Sequence, residues 1–216
     1  IIMKKRETFN VIGIMTGTSM DGIDLSYVKT DGKKNFAIIC EKNYNYSLKY
    51  QNLLKKIIQE KPDRIRNIKK YFSEKEIIFD KQIIKYVNLF IDKFKINKKN
   101  INFLSISGQT VLHKPEIKLT IQLGNLKRIS NSLKINCVGN FRIKDISKGG
   151  QGAPIGAYYH KYLLQKIDSK ALIVNFGGVS NFSILKNNKV ISSDLGPANS
   201  ISDDLTNKYY YKKYDK

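Results

Sequence analysis

The stretch Val11-Ile12-Gly13-Ile14-Met15-Thr16-Gly17-Thr18-Ser19-Met20-Asp21-Gly22-Ile23-Asp24-Leu25-Ser26-Tyr27-Val28-Lys29 decides the fold. Residues 11–15 form a short apolar strand signal, residues 16–22 a glycine-bearing loop, and residues 23–29 alternate apolar with polar side chains. Together they predict a β-hairpin. Asp31-Gly32 supplies a second turn and Ala37 to Cys40 begins a third strand, so three antiparallel strands open the chain. The pattern returns near the other end. Ala171 to Asn175 is an apolar strand, Phe176-Gly177-Gly178 a loop, Ser180 to Leu185 a second strand, Asn187-Asn188 a turn and Val190 to Ser192 a third strand.

Between the two repeats the reading becomes α/β. Leu48 to Gln59 predicts a helix closed by Pro62, and Ile65, Ile68, Phe72, Phe79, Ile83, Val87, Phe90 and Phe94 form an amphipathic stripe. Ser73 with Glu76 resembles a capping box, which predicts a break there into two helices. Phe103 to Ile106 and Leu119 to Leu123 read as strands flanking Ser107-Gly108-Gln109-Thr110, Asn125 to Leu133 as a helix, and Ile135 to Val138 as a strand. The turn Gly149-Gly150-Gln151-Gly152-Ala153-Pro154 leads into a helix through about Gln165, with Pro154 suited to its first turn. Asn199 to about Tyr210 reads as a last helix.

The 216 residues are 41% hydrophobic and 11% aromatic, which supports a folded core despite a net charge of +21. No apolar run approaches the roughly 20 residues needed to span a bilayer. Cys40 and Cys137 match neither a metal-ligand spacing nor a disulfide framework, and a reducing compartment is the simpler reading. Without a basic segment leading into an apolar one at residues 1–20, the expected location is cytoplasmic. The positive charge raises the alternative of a Lys-rich polyanion-binding protein. Only five basic residues are Arg, however (Arg6, Arg64, Arg66, Arg128 and Arg142), and the guanidinium fork is the usual tool for specific recognition of phosphates and bases. No specific nucleic-acid partner and no membrane partner are expected.

Glycine loops between antiparallel strands expose backbone N–H groups, and neighbouring hydroxyls add donors for phosphate oxygens. Gly17-Thr18-Ser19 and Gly177-Gly178-Val179-Ser180 both have this chemistry, and two such hairpins facing one another would grip a nucleotide triphosphate. Neither carries the Walker sequence or opens a Rossmann turn. A single such hairpin is ordinarily a turn and nothing more; the duplication is what suggests nucleotide binding. Asp21 and Asp24 could hold a magnesium ion bridging the phosphates, or Asp21 could simply cap the turn. Asp194, at the end of the last strand signal, could deprotonate an attacking water or hydroxyl, or serve as a local cap. His113 and His160 lack partners at metal spacing and read as surface or packing residues.

Taken together, the motifs resemble the anhydro-N-acetylmuramic acid kinase family. The resemblance rests on Met15-Thr16-Gly17-Thr18-Ser19-Met20-Asp21-Gly22-Ile23-Asp24, Gly108-Gln109-Thr110, Thr120-Ile121-Gln122-Leu123-Gly124, Phe141-Arg142, Gly149-Gly150-Gln151-Gly152-Ala153-Pro154, Asn175-Phe176-Gly177-Gly178-Val179-Ser180-Asn181 and Asp194-Leu195-Gly196-Pro197. It implies a ribonuclease-H-like fold of the actin, sugar kinase and Hsp70 group, with residues 1–170 as a first lobe and 171–216 as the incomplete start of a second. It also implies a kinase of peptidoglycan recycling that uses ATP, magnesium and water. The anhydro ring of the amino sugar is opened and O6 phosphorylated, giving N-acetylmuramic acid 6-phosphate.

By the same resemblance Asp194 is the catalytic base. Gly17, Thr18, Ser19, Met20, Asp21, Gly22, Ile23 and Asp24 bind ATP with Gly177 and Gly178, and Arg142 and Asp145 lie near the sugar. The family pattern differs at four places, where this chain has Ser107, Asn140, Ile143 and Ala198. The resemblance also implies further sequence in the second lobe, with an adenosine-side glycine motif and another acidic residue that these residues do not contain. The chain is therefore expected to be an amino-terminal portion with an uncovered sheet face, prone to self-association such as homodimer formation, and with little turnover alone. An inactive relic that binds only nucleotide or sugar is the alternative.

Overall fold

Strand β1 (Phe9–Thr16) pairs antiparallel with β2 (Gly22–Thr30), and β2 with β3 (Phe36–Asn45), so the opening meander forms as its alternation predicts. The structure is a computed structural model that describes residues 8–17, 20–60, 67–167 and 170–212. Two helices follow, α1 (Leu48–Gln59) and α2 (Ile68–Lys93), then the parallel strand β4 (Phe103–Ile106). A separate hairpin, β5 (Gln109–Lys114) with β6 (Leu119–Leu123), precedes α3 (Leu126–Leu133), β7 (Cys137–Gly139) and α4 (Phe141–Ser147). The main sheet has the order β3-β2-β1-β4-β7, antiparallel across β3, β2 and β1 and parallel across β1, β4 and β7. That order and those directions are the ribonuclease-H-like arrangement.

The core lies where β1 and β2 meet α1 and α2. Ile12, Ile14, Ile23 and Leu25 face Leu54 and Ile57 of α1 and Phe79, Ile83, Val87 and Phe90 of α2, all of them buried. Each such side chain contributes about 1.5–3 kcal/mol of burial, more than a typical hydrogen bond, so this face fixes both helices. The expected break at Ser73 does not occur: α2 runs unbroken, begins at the Asn67 cap, and Ser73 Oγ donates to the Lys70 carbonyl within the helix. The apolar stripe continues from Phe72 to Phe79, and its packing outweighs a local capping signal.

Chain contacts divide the molecule into two compact units between Gln151 and Gly152. The second unit holds α5 (Ala157–Ile167), the antiparallel meander β8 (Leu172–Phe176), β9 (Val179–Lys186) and β10 (Lys189–Pro197), and α6 (Asn199–Tyr210). Helix α5 begins later than expected, and Pro154 lies in the turn before it. The helix packs on β9 and β10, within the second compact unit. His160 Nδ1 lies 2.7 Å from Ser183 Oγ, which lies 2.6 Å from Ser192 Oγ, tying α5 to both strands. The other side of this sheet carries the exposed Leu172, Phe176 and Ile191. Cys40 and Cys137 sit on opposite edge strands of the main sheet as free thiols. Among the described residues no helix is long and apolar enough to cross a membrane.

Candidate nucleotide and sugar site

In open α/β sheets, ligands gather at the carboxyl ends of parallel strands, where the connecting loops emerge. Here the register sets Ile14 of β1 beside Ile106 of β4, and Ile106 beside Gly139 of β7. The loop after β1, the turn after β4 and helix α4 after β7 therefore leave the sheet at one end. Gly139 permits this close approach, since a Cβ there would stand 2.7 Å from the Ile106 carbonyl oxygen.

The loop after β1 is fastened from below. Thr16 is buried and its hydroxyl donates to the Gly108 carbonyl at 2.9 Å, while its backbone N–H donates to Ser107 Oγ at 3.3 Å. Ser107 thus has a defined hydrogen-bonding role. Gln109 Nε2 donates to the Gly17 carbonyl at 3.1 Å, and the Met20 N–H donates to the same carbonyl at 3.3 Å. Met20 adopts a left-handed φ of 55°. Asp21 accepts the Tyr46 N–H at its carbonyl at 2.8 Å. Gly22 must be glycine, because a Cβ there would fall 2.5 Å from the Tyr44 carbonyl oxygen. Thr18 and Ser19 lie outside the described residues.

The predicted ATP-binding run divides by environment. Ile23 is fully buried in the core, which leaves only its backbone for a ligand. Asp24 is exposed on β2 and accepts from Asn43 Nδ2 at 2.9 Å. Among the described residues no three His, Cys, Asp or Glu side chains converge on a metal position. Asp21 and Asp24 are the carboxylates of this run that could hold a magnesium ion, a metal ordinarily bound by one or two carboxylates together with substrate phosphates.

Arg142 and Asp145 both lie on α4. Arg142 is half-buried, and burial pulls its guanidinium below the ordinary value, although Arg keeps its charge in proteins. Asp145 is exposed and packs against Gly150, where any Cβ would collide with its carboxylate. Asn140 precedes α4 with a left-handed φ of 60°, a conformation that Asn tolerates.

In the second unit the Gly177-Gly178 loop is bound to the start of α6. The Gly177 carbonyl accepts the Asn199 N–H at 3.0 Å, and the Gly178 carbonyl accepts the Ala198 N–H at 3.0 Å and Ser200 Oγ at 2.8 Å. These carbonyls cap α6, whose N-cap residue Ala198 offers no side-chain bond. A Cβ on Gly178 would meet nothing closer than Ser200 Cβ at 3.9 Å, so the loop retains an open face. Asp194 is exposed on β10, opposite Asn181 of β9, and lies within the strand, not at its end. A bulge between Asp194 and Gly196 interrupts the ladder, a device that re-aims neighbouring side chains. Of the surface and packing roles open to the two histidines, both take packing ones, His113 Nδ1 lying 3.0 Å from Thr120 Oγ1 and His160 Nδ1 beside Ser183. The hydrogen-bonding roles of Thr16, Gln109 and Ser200 are not marked in the sequence, where Thr16 and Gln109 enter only as members of motifs and Ser200 only within a helix. For Thr16 and Gln109 the local signal is a polar residue next to a glycine, and Ser200 has none.

A ribonuclease-H-like sheet whose glycine hairpin is fastened at the carboxyl ends of its parallel strands, with a second glycine hairpin in the following unit, defines the sugar kinase and actin class of fold. The family model described as anhydro-N-acetylmuramic acid kinase matches residues 9–216. Three curated proteins of that name are similar. The one from Pelagibacter ubique is 33% identical over 96% of this chain and 56% of its own length. Those from Bradyrhizobium diazoefficiens and Rhodopseudomonas palustris are 32% and 34% identical, each over 94% of this chain and 57% of their own. A solved chain described as a reductive activator for a corrinoid, iron-sulfur protein overlaps with a TM-score of 0.42 at 12% identity, over 90% of this chain and 32% of its own, too loose a likeness to bear on the fold. The chain belongs to the anhydro-N-acetylmuramic acid kinase family, and it spans a little over half the length of the curated relatives it matches.

Proposed function

We propose that this chain carries the nucleotide loops and the catalytic carboxylate of an ATP-dependent kinase acting on 1,6-anhydro-N-acetylmuramic acid. In this reading Asp194 takes a proton from water as the water oxygen attacks the anomeric carbon. The bond from that carbon to O6 breaks, and O6 attacks the γ-phosphorus as ADP leaves. The products are N-acetylmuramic acid 6-phosphate and ADP. Residues 17–24 with Gly177 and Gly178 hold the triphosphate, and Arg142 and Asp145 orient the sugar. Magnesium, bound through the phosphates and Asp21 or Asp24, would neutralise charge developing on the transferred group. An ATP-consuming step of peptidoglycan recycling fits a cytoplasmic location.

The observation that carries the reading is the repeated unit: strand, glycine loop, strand, turn and strand occur as β1–β3 and again as β8–β10. In a second reading the chain binds nucleotide or sugar without turnover. The test compares the chain alone with its fusion to the carboxy-terminal part of the Pelagibacter ubique relative. Calorimetry with ATP, magnesium and anhydro sugar is followed by an assay for ATP-dependent phosphorylated sugar. Turnover by the fusion supports the kinase, binding without turnover by both supports the second reading, and absence of binding to either ligand overturns both.

A further inference from the structure

Gln109 is fully buried at the start of β5, an unusual place for a primary amide. Its Nε2 donates to the Gly17 carbonyl, while its Oε1 has no hydrogen-bond partner among the described residues. A position needed only for packing would be filled by Leu or Met, which strand no acceptor in the core. The amide is therefore retained for its donor end. That donor meets the same carbonyl that the Met20 N–H approaches from inside the loop, so the Gly17 peptide plane is held from two sides.

We propose that Gln109 is a positioning residue for the nucleotide: it fixes the Gly17 carbonyl, and with it the Met20 N–H that the same carbonyl accepts, so that phosphate binding at this end of β1 depends on it although it does not touch ATP itself. The inference rests on the kinase reading above and extends it to a residue outside the loop.

Gln109→Met is nearly isosteric and removes both the donor and the stranded acceptor. It should leave the thermal unfolding midpoint equal to or above that of the unaltered chain. The Met20 amide should nevertheless exchange with deuterium faster by about threefold or more, and ATP binding should weaken about five- to tenfold, the worth of one neutral hydrogen bond. Gln109→Glu, which turns a carboxylate toward the Gly17 carbonyl, should weaken binding further. Unchanged Met20 exchange in a folded Gln109→Met chain overturns the proposal, as does a uniform loss of stability and protection across β1 and β4, which would mark a packing role. Absence of ATP binding by the unaltered chain would fall on the nucleotide reading alone, and Met20 exchange would still uphold or overturn the placement of Gly17 by Gln109.

Discussion

Thr16 and Gly108 stand ninety-two residues apart, yet the buried Thr16 hydroxyl donates to the Gly108 carbonyl at 2.9 Å. The bond joins the last residue of β1 to the turn after β4, the point where two parallel strands release their loops. Thr16→Val keeps the shape and leaves that carbonyl only the longer 3.4 Å bond from Ser107 Oγ. It should lower the unfolding free energy by about 1–3 kcal/mol in urea titrations. A change within 0.3 kcal/mol, an order-of-magnitude threshold, would show that water replaces the hydroxyl.

Gly22→Ala tests the tight contact between β2 and β3. The added methyl would stand 2.5 Å from the Tyr44 carbonyl oxygen, which is backbone and cannot rotate away. We expect a cost of about 1–3 kcal/mol or more, read as a lowered unfolding midpoint. Gly32→Ala is the control: nothing lies within 4 Å of its Cβ, and only the left-handed φ of 69° is strained. Its cost should stay near 1 kcal/mol, an order-of-magnitude figure for Ala at positive φ.

Asp194→Asn separates chemistry from folding. Asp194 is exposed, so the unfolding midpoint should move by no more than about 0.5 kcal/mol equivalent. Turnover by the fusion should fall by about 10²- to 10⁴-fold, with ATP affinity retained. Wild-type turnover in Asp194→Asn would remove Asp194 from the role of base.

Arg128→Met examines the anchor between α2 and α3. Asp80 is fully buried, accepts the Asn125 N–H at 3.0 Å and pairs with the Arg128 guanidinium. Removing that cation leaves a buried carboxylate without its partner. The loss should be about 2–3 kcal/mol, below that of a wholly buried pair because Arg128 is half-exposed. Asp80→Asn with Arg128→Met should recover part of it, measured by the same urea titration.

His160 gives the second unit a pH dependence. Burial holds its imidazole pKa below the ordinary value of about 6.5. The folded chain thus binds a proton less readily than the unfolded one. Above pH 6.5, roughly the unfolded value, both states are neutral and the group is silent; as pH falls below it, stability is lost until the folded pKa is passed. His160→Gln should flatten that part of the curve, followed by thermal unfolding between about pH 5 and 7.

Much of the fold was legible because period and packing agree. Tyr50, Leu54 and Ile57 repeat at helical spacing on α1, and the Asn199–Tyr210 helix follows a clear turn. Strand β5 has no clear sequence signal, since a register shift between Thr110 and Leu112 breaks the alternation of Gln109–Lys114. Helix α4 is too short to show a period. The site divides likewise. Its glycine loops announce themselves, whereas the Gln109 bond to Gly17 joins distant residues and leaves no local pattern.

The bare side of the β8–β10 meander, with Leu172, Phe176 and Ile191 turned to solvent, sits on a polycation of net charge +21. Mutual repulsion keeps such surfaces apart only while it is felt over several ångströms, and the Debye length shrinks from about 30 Å at 0.01 M salt to about 3 Å at 1 M. Adding sodium chloride to a clear dilute solution of this chain should therefore cloud it, an inversion of the usual salting-in of basic proteins that light scattering would record.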